Sequence, residues 1–301
     1  MAKMHPDEFE TDPALVRRLL TAQFPQWAEL EIRPIPSGGT DNAIYRLGDA
    51  LAVRMPRIGW AVGQVEKEHT WLPHLAPHLP LAIPMPLAMG ITGEGYPYPW
   101  SVCQWLEGEN ATLARLVDPT QAAWDLAGFI KALQQIDTKD GPLAGAHNFG
   151  RGVPLIERDA AVRSALEALH GLIDTNAATA IWEMALRAPV WDRAPVWLHG
   201  DLQSGNLLAR NRRLRAVIDF GGLGVGDPAC ELLVAWTLFT KESRAAFREA
   251  LVVDDASWLR GQGWALSVGL IALPYYLHTS PAMVEFAQRT IAEVMGDHFS
   301  L

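Results

Sequence analysis

Two short apolar runs, each followed by polar residues, constrain the fold of this chain more than any other feature. Residues 194–198 are mainly apolar and lead into a loop that carries Asp201, while residues 214–218 lead into Asp219. Short apolar runs bounded by turn residues are typical of buried strands. Such strands hold the polar residues that follow them in fixed positions. We therefore predict two buried strands that bring Asp201 and Asp219 into one cleft.

The polar residues after these runs form a set that suits phosphoryl transfer. Transfer of a γ-phosphate to a hydroxyl needs a carboxylate that orients the hydroxyl and accepts its proton, and we assign that role to Asp201. Asn206 offers an amide oxygen and Asp219 a carboxylate, which are ligands that Mg²⁺ accepts. Taken singly, the same residues are a tight turn, a cap and a strand-end acid. Their joint spacing favours the catalytic interpretation.

The segment from His199 to Asn206, followed by Asp219 and Phe220, resembles the catalytic loop and metal-binding aspartate of the aminoglycoside and macrolide phosphotransferase family. Gly200 stands where protein kinases carry Arg, and Phe220 matches the aromatic residue that follows the metal aspartate in this family. The resemblance implies that His199 braces the loop around the catalytic base. It also implies Mg²⁺ as cofactor and ATP or GTP as phosphate donor.

The same resemblance implies an α+β, protein-kinase-like fold of two lobes. We expect a mainly antiparallel sheet lobe in residues 1–102, a hinge in residues 103–109 and a mainly helical lobe in residues 110–301. A chain of 301 residues is long enough for two lobes that share one cleft.

Residues 226–232 resemble a further family segment, with Glu231 where Asp is usual. We predict that Asp227 caps a helix that begins near Pro228, because Asp is a good N-cap and Pro suits the first helical position.

The predicted nucleotide site lies in the first third of the chain. Ser37, Gly38, Gly39 and Thr40 form a small-residue turn that suits a phosphate-covering loop, because paired glycines let the backbone approach phosphate oxygens. A plain hairpin turn is the alternative interpretation of this segment.

Arg54 stands where kinase-like proteins usually carry the lysine that holds the α- and β-phosphates, and Glu68 matches the carboxylate that pairs with that cation. Arginine binds phosphate through two donors, although with a different geometry from lysine. The substitution is also the one feature that supports a catalytically silent nucleotide-binding protein. The presence of Asp201, Asn206 and Asp219 argues against that alternative.

Residues 100–109 are predicted to form the hinge strand and its turn. In the family resemblance, main-chain groups of Gln104 and Leu106 bond the purine edge while side chains at positions 53 and 218 enclose the ring. An ordinary core strand is the alternative. Because the base is bound through backbone groups, the sequence does not distinguish ATP from GTP.

The formal charge of −9 disfavours nucleic acid as a partner. We predict a small-molecule acceptor, first an aminoglycoside-type antibiotic, with macrolides or metabolites such as sugars, choline or amino acids as alternatives. Acidic side chains near the carboxyl terminus would attract a cationic acceptor if they line its pocket, as that region does in the family: Asp254, Asp255, Glu285, Glu293 and Asp297. A surplus of carboxylates that only keeps the protein soluble is the alternative.

Other segments predict the surroundings of the cleft. Residues 121–136 and 264–277 are predicted core helices, the second too short for a membrane span and interrupted by Pro274. Prolines between positions 73 and 86 predict an extended connector. With no signal-peptide pattern and only two cysteines, we expect a cytoplasmic location and no membrane association. The oligomeric state stays open.

Overall fold

The first lobe is built on a five-stranded sheet in which every neighbouring pair is antiparallel. The computed structural model describes residues 8–36 and 41–298. In the order in which they lie across the sheet, the strands are β1 (Ile32–Ile35), β2 (Asn42–Leu47), β3 (Leu51–Pro56), β5 (Trp100–Gln104) and β4 (Pro86–Gly90). This arrangement confirms the predicted antiparallel sheet lobe.

Two helices accompany this sheet. Helix α1 (Pro13–Gln23) begins at an N-cap formed by Asp12, and its buried leucines pack with Val53 and Trp100 in the core of the sheet lobe. Helix α2 (Val62–Leu75) contacts β4 and β5 and carries Glu68. Helix α1 was not predicted from the sequence.

The predicted extended connector is partly wrong, because α2 continues through Pro73 to Leu75. Proline within a helix removes one backbone hydrogen bond. Leu72 and Leu75 are buried in the core of the second lobe, and their burial offsets that loss. Pro77 then lies in a short 3₁₀ turn rather than in extended chain.

The second lobe is mainly helical, as predicted. Its helices are α3 (Pro119–Gln134), α4 (Asp159–Ala168), α5 (Thr175–Arg187), α6 (Val234–Thr237), α7 (Lys241–Leu251), α8 (Asp255–Tyr276) and α9 (Pro281–His298). Its short strands are β6 (Glu109–Asn110), β7 (Val196–Leu198), β8 (Leu207–Arg210), β9 (Arg213–Val217) and β10 (Gly224–Gly226).

The two predicted strands that flank the catalytic loop are β7 and β9, but they do not pair with each other. β7 pairs with β10, whereas β9 forms a hairpin with β8, a strand that was not predicted. The hairpin begins with the backbone of Ile218 donating to the carbonyl of Asn206 at 2.9 Å. This bond brings Asn206 next to Asp219 in space, although the two residues lie on different strand ends.

Helix α8 is the central core helix of the second lobe, with Trp264 and Leu270 fully buried. Pro274 lies in its last turn and does not end it. Within the described ranges, no helix is long and apolar enough to span a membrane.

Asp227 caps a short 3₁₀ helix (Pro228–Leu233) by accepting a hydrogen bond from the Ala229 backbone, as predicted. Its carboxylate also pairs with the buried Arg260.

Candidate active site

The carboxylate of Asp201 is held by three side-chain donors. Gln203 donates to Oδ2 at 2.9 Å, Asn206 donates to the same oxygen at 2.8 Å, and Arg151 approaches Oδ1 at 3.4 Å. Several donors on one carboxylate restrict its orientation. Asp201 is thereby fixed at the surface of the cleft, where a hydroxyl group can reach it.

The buried carboxylate of Glu231 anchors the backbone of the loop that carries Asp201. Its two carboxylate oxygens accept from the backbone of His199 at 3.0 Å and of Gly200 at 2.7 Å. Burial raises the pKa of Glu231 to about 7, although the two backbone donors act to lower it. The side chain of Glu231 therefore holds two consecutive amides of the loop.

His199 connects the loop to β9. Its ring contacts the carbonyl of Ile218 at 3.0 Å through Nε2 and accepts from the Asp201 backbone at 3.1 Å through Nδ1. Burial lowers the pKa of His199, which favours a neutral ring with one donor and one acceptor nitrogen. This geometry agrees with the bracing role that the resemblance implied.

The backbone conformation at position 200 requires glycine. Its φ is +84°, and a Cβ atom there would lie well inside van der Waals contact of the Gly222 carbonyl oxygen. Positive φ is unfavourable for residues with a side chain. The close approach of the loop to Gly222 therefore explains why glycine stands at this position.

Asn206 and Asp219 present the oxygen ligands that a divalent cation needs. The amide nitrogen of Asn206 is occupied by two bonds to Asp201, at 2.8 Å each, and no donor in the described residues takes its Oδ1. Asp219 adopts a left-handed conformation with φ of 64°, and its side chain is 42% exposed. An amide oxygen and an accessible carboxylate fit Mg²⁺, which keeps several of its waters.

Arg54 joins the two lobes. Its Nη1 lies 2.6 Å from both carboxylate oxygens of Glu68, and its Nη2 lies 3.0 Å from Asp219. Burial alone would lower the pKa of Arg54, but the carboxylates of Glu68 and Asp219 together raise it, so the guanidinium stays charged. The predicted pairing with Glu68 is present, and a forked arginine head spans both acids where one amine nitrogen would not.

Lys67 makes a second link between α2 and the segment after Asp219. Its Nζ donates to the carbonyl of Gly221 at 2.8 Å and to that of His147 at 3.2 Å. Burial lowers the pKa of Lys67 to about 8. The adjacent residues Lys67 and Glu68 therefore each tie α2 to a different part of the cleft.

The hinge strand ends where the nucleotide base was predicted to lie. The N–H of Gln104 donates to the Met85 carbonyl at 2.8 Å, so only its carbonyl is available to a base. Leu106 has no backbone hydrogen bond to the described part of the chain. The predicted phosphate-covering residues lie outside the described residues: Ser37, Gly38, Gly39 and Thr40.

Asp201 and Asp219 open into a cleft of about 420 Å³. Its far wall consists of side chains from α8 and α9, and these are apolar or aromatic: Val268, Ile271, Ala272, Tyr275, Tyr276, Met283 and Phe286. Arg151 and Arg158 line the wall next to Asp201. The cleft thus combines an apolar wall, two guanidinium groups and the predicted catalytic carboxylates.

The predicted placement of the carboxyl-terminal acids in the acceptor pocket is wrong for Asp254, Asp255, Glu285, Glu293 and Asp297. Glu293 and Asp297 pair with Arg244, at 2.6 and 3.0 Å. Asp254 caps α8 by accepting from the Ser257 backbone. None of the five belongs to the lining of this cleft among the residues that the structure describes. Glu293 and Asp297 thus form ion pairs and Asp254 forms a helix cap, away from this cleft.

Four residues at the site were not predicted from the sequence: Lys67, Arg151, Arg158 and Gln203. Gln203 lies two positions after Asp201 and could have been considered on that ground. Arg151 is 50 residues from Asp201 in the chain, and no local motif marks it. Such partners are defined only by tertiary contact.

An antiparallel sheet lobe and a helical lobe that share a cleft lined by Asp201 and Asp219 are typical of a phosphotransferase of kinase-like fold. Residues 31–265 match the model of the APH phosphotransferase enzyme family. The chain belongs to this family.

Solved structures with the same fold cover nearly the whole chain. Aminoglycoside 2′-phosphotransferase-IIIa in complex with GDP is 17% identical, covers 96% of this chain and 100% of its own, and has a TM-score of 0.75. The GDP and kanamycin complex of an APH(2″) enzyme is 18% identical, with coverage of 94% and 99% and a TM-score of 0.73. The macrolide 2′-phosphotransferase of Brachybacterium faecium is 21% identical, with coverage of 93% and 98% and a TM-score of 0.59. No curated protein matches.

Proposed function

We propose that this protein is a small-molecule kinase that transfers the γ-phosphate of ATP or GTP to a hydroxyl group. The observation that carries the proposal is that Asp201 and Asp219 line one cleft, with Asn206 hydrogen-bonded to Asp201 at 2.8 Å and Arg54 hydrogen-bonded to Asp219 at 3.0 Å. Membership of a phosphotransferase family supports it.

In this proposal, each residue has one role in an in-line displacement. Asp201 orients the acceptor hydroxyl and receives its proton as the new oxygen–phosphorus bond forms and the bond to the nucleoside diphosphate breaks. Arg54 binds phosphate oxygens of the donor while Glu68 holds its guanidinium in place. His199 and Glu231 fix the loop and act through Asp201.

Asn206 and Asp219 would hold Mg²⁺, which supplies charge neutralisation for the phosphates when bound. The hinge carbonyl of Gln104 and the N–H of Leu106 would bond the base. The loop of residues 37–40 remains the predicted cover of the phosphates. Relatives have been solved in complex with GDP, ADP or ATP, which supports a nucleotide as donor.

The sequence predicts an aminoglycoside-type acceptor, and relatives of known structure include complexes with kanamycin and gentamicin as well as a macrolide phosphotransferase. The apolar wall of the cleft supports an organic acceptor with an apolar face. A catalytically silent protein is the rival hypothesis. The bonds that Gln203 and Asn206 donate to the Asp201 carboxylate argue against it, because they orient the group that the reaction needs.

The test is product formation. The protein is incubated with Mg²⁺ and either ATP or GTP in the presence of a panel of aminoglycosides, macrolides and small hydroxy compounds, and each acceptor is analysed for the mass of one added phosphoryl group. A phosphorylated product that forms only with Mg²⁺ supports the proposal. Nucleotide binding without any product across the panel would favour the silent alternative.

The metal assignment has its own readout. Asp219→Asn should weaken Mg²⁺-nucleotide binding, measured by titration, more than it weakens nucleotide binding in the presence of a chelator. The exposed Asp192→Asn serves as control in the same lobe. Equal loss with and without metal would show that Asp219 does not hold the cation.

A further inference from the structure

Two arginines next to the proposed base have more hydrogen-bond donors than the chain satisfies. Arg151, with a side chain only 15% exposed, makes one long contact of 3.4 Å to Asp201, and its Nη1 is buried with no partner. Arg158 donates through Nε to Ser267 at 2.8 Å and pairs with no carboxylate in the described part of the chain. A guanidinium has five donors and is costly to bury when they are unused.

The two guanidinium groups also lie close to each other. Both lie over the ring of the buried Trp264, with the central carbon of Arg158 at 4.7 Å and that of Arg151 at 5.8 Å from the ring centre. Burial and the nearby charge of Arg151 lower the pKa of Arg158 to about 9. Two neighbouring cations that share a single carboxylate contact, of 3.4 Å, form a site that favours a further anion.

The acids at the cleft do not offset these charges at the acceptor end. In the described ranges, three acids line the cleft: Asp41, Asp201 and Asp219. Asp201 accepts from Gln203 and Asn206 as well as from Arg151, and Asp219 faces Arg54. Asp41 accepts from Gln64 at 3.4 Å, and its contacts with the described part of the chain include no ion pair with Arg151 or Arg158. The wall contributed by α8 and α9 adds apolar and aromatic side chains but no carboxylate within the described residues. A polycationic acceptor would therefore meet two guanidinium groups where it needs acids.

We infer that the acceptor is an apolar alcohol that carries an anionic group, such as a carboxylate, and that Arg151 and Arg158 bind this group while the hydroxyl faces Asp201. The inference rests on the proposed kinase function and names the class of its acceptor. The forked donors of arginine match a carboxylate in two parallel hydrogen bonds. Arg158 is then a specificity residue, since it contacts the part of the acceptor that does not react.

The experiment uses three probes with one carbon skeleton: a benzoate anion that carries a hydroxyalkyl group on its ring, the corresponding benzamide and the corresponding benzylamine. Their binding to the full chain is measured by calorimetry, and their phosphorylation with Mg²⁺ and nucleotide is measured by product mass. We expect the benzoate to bind about tenfold more tightly than the benzamide, and the benzylamine most weakly. Equal binding of the three probes, tightest binding of the amine or no binding of the benzoate would overturn the inference.

Variants at Arg158 separate acceptor recognition from phosphate transfer. Arg158→Gln should remove the preference for the benzoate by raising the KM for the benzoate more than that for the benzamide. Arg158→Lys should keep part of the preference because it keeps the charge. Arg187→Gln, whose side chain is 78% exposed, is the control. A fall in kcat by the same factor for every probe would assign Arg158 to the transferred phosphate and overturn the inference.

The two proposals can fail separately. If the benzamide is phosphorylated, the proposed kinase function stands, whatever the order of affinity of the three probes. If no probe is phosphorylated but the benzoate binds most tightly, the kinase function fails and the inference about the anionic group does not.

Discussion

Substitutions in the buried pair of Arg54 and Glu68 should change the stability of the protein and its nucleotide affinity in different ways. Their side chains are 11% and 7% exposed, and the guanidinium lies 2.6 Å from the carboxylate. Removing one partner of such a pair leaves an uncompensated buried charge and costs about 3–5 kcal/mol. We therefore expect Arg54→Met to lower the free energy of unfolding by about that amount, which is a large fraction of the stability of a typical domain.

Replacing both partners should restore the fold but not the function. In Arg54→Met combined with Glu68→Leu, no buried charge is left unpaired, so the free energy of unfolding should return to within about 1 kcal/mol of the original. The proposed phosphate contact of Arg54 would still be absent. Because hydrogen bonds to charged groups contribute about 1.5–3 kcal/mol, nucleotide affinity should stay roughly 10- to 100-fold weaker in both variants.

Unfolding is measured in urea and nucleotide affinity with a fluorescent analogue in the presence of Mg²⁺. Arg33→Met on β1 is the matched control, because its ion pairs with Glu31 and Asp49 are exposed and should contribute less than about 1 kcal/mol. The reasoning is refuted if Arg54→Met is as stable as this control. It is equally refuted if the double variant binds nucleotide as the unmodified protein does.

Three further changes test the loop and the helix α2. Gly200→Ala should destabilise the protein by about 1–3 kcal/mol or prevent folding, because of its positive φ and the contact with Gly222; near-unchanged urea unfolding would contradict the loop geometry. Glu231 has a folded-state pKa raised from 4.5 to about 7, so its contribution to stability should fall as pH rises across that interval, and Glu231→Gln should remove this dependence in unfolding titrations. Lys67 has a folded-state pKa lowered from 10.5 to about 8, so stability should rise between these values, and a rise that persists in Lys67→Gln would refute the assignment.

The sequence predicted the parts of the site that are local in the chain. Asp201 and Asn206 lie in one loop, and Asp219 follows a short apolar strand, so spacing and strand pattern were sufficient to place them in one cleft. The same local reasoning failed at Pro73, where the burial of Leu72 and Leu75 keeps α2 helical. Propensity is a weak guide when tertiary packing opposes it.

The charge of the acceptor end could not be predicted from composition. The net charge of −9 suggested a cationic acceptor, yet the acids near the carboxyl terminus bind Arg244 or cap α8. Arg151 and Arg158 reach the cleft from a segment that carries no motif. The packing of α8 and α9 against the rest of the lobe determines which charged side chains face the pocket. The net charge of the chain does not contain that information.

The central claim is that Asp201 is the base in a phosphoryl transfer. The most direct test is turnover by Asp201→Asn, which keeps the shape of the side chain, compared with Asp192→Asn, using an acceptor that the unmodified protein phosphorylates. We expect turnover to fall by about 10²- to 10⁴-fold while Mg²⁺-nucleotide affinity stays within about twofold. Turnover within about twofold of the control would contradict the account, because the carboxylate would then have no part in the reaction.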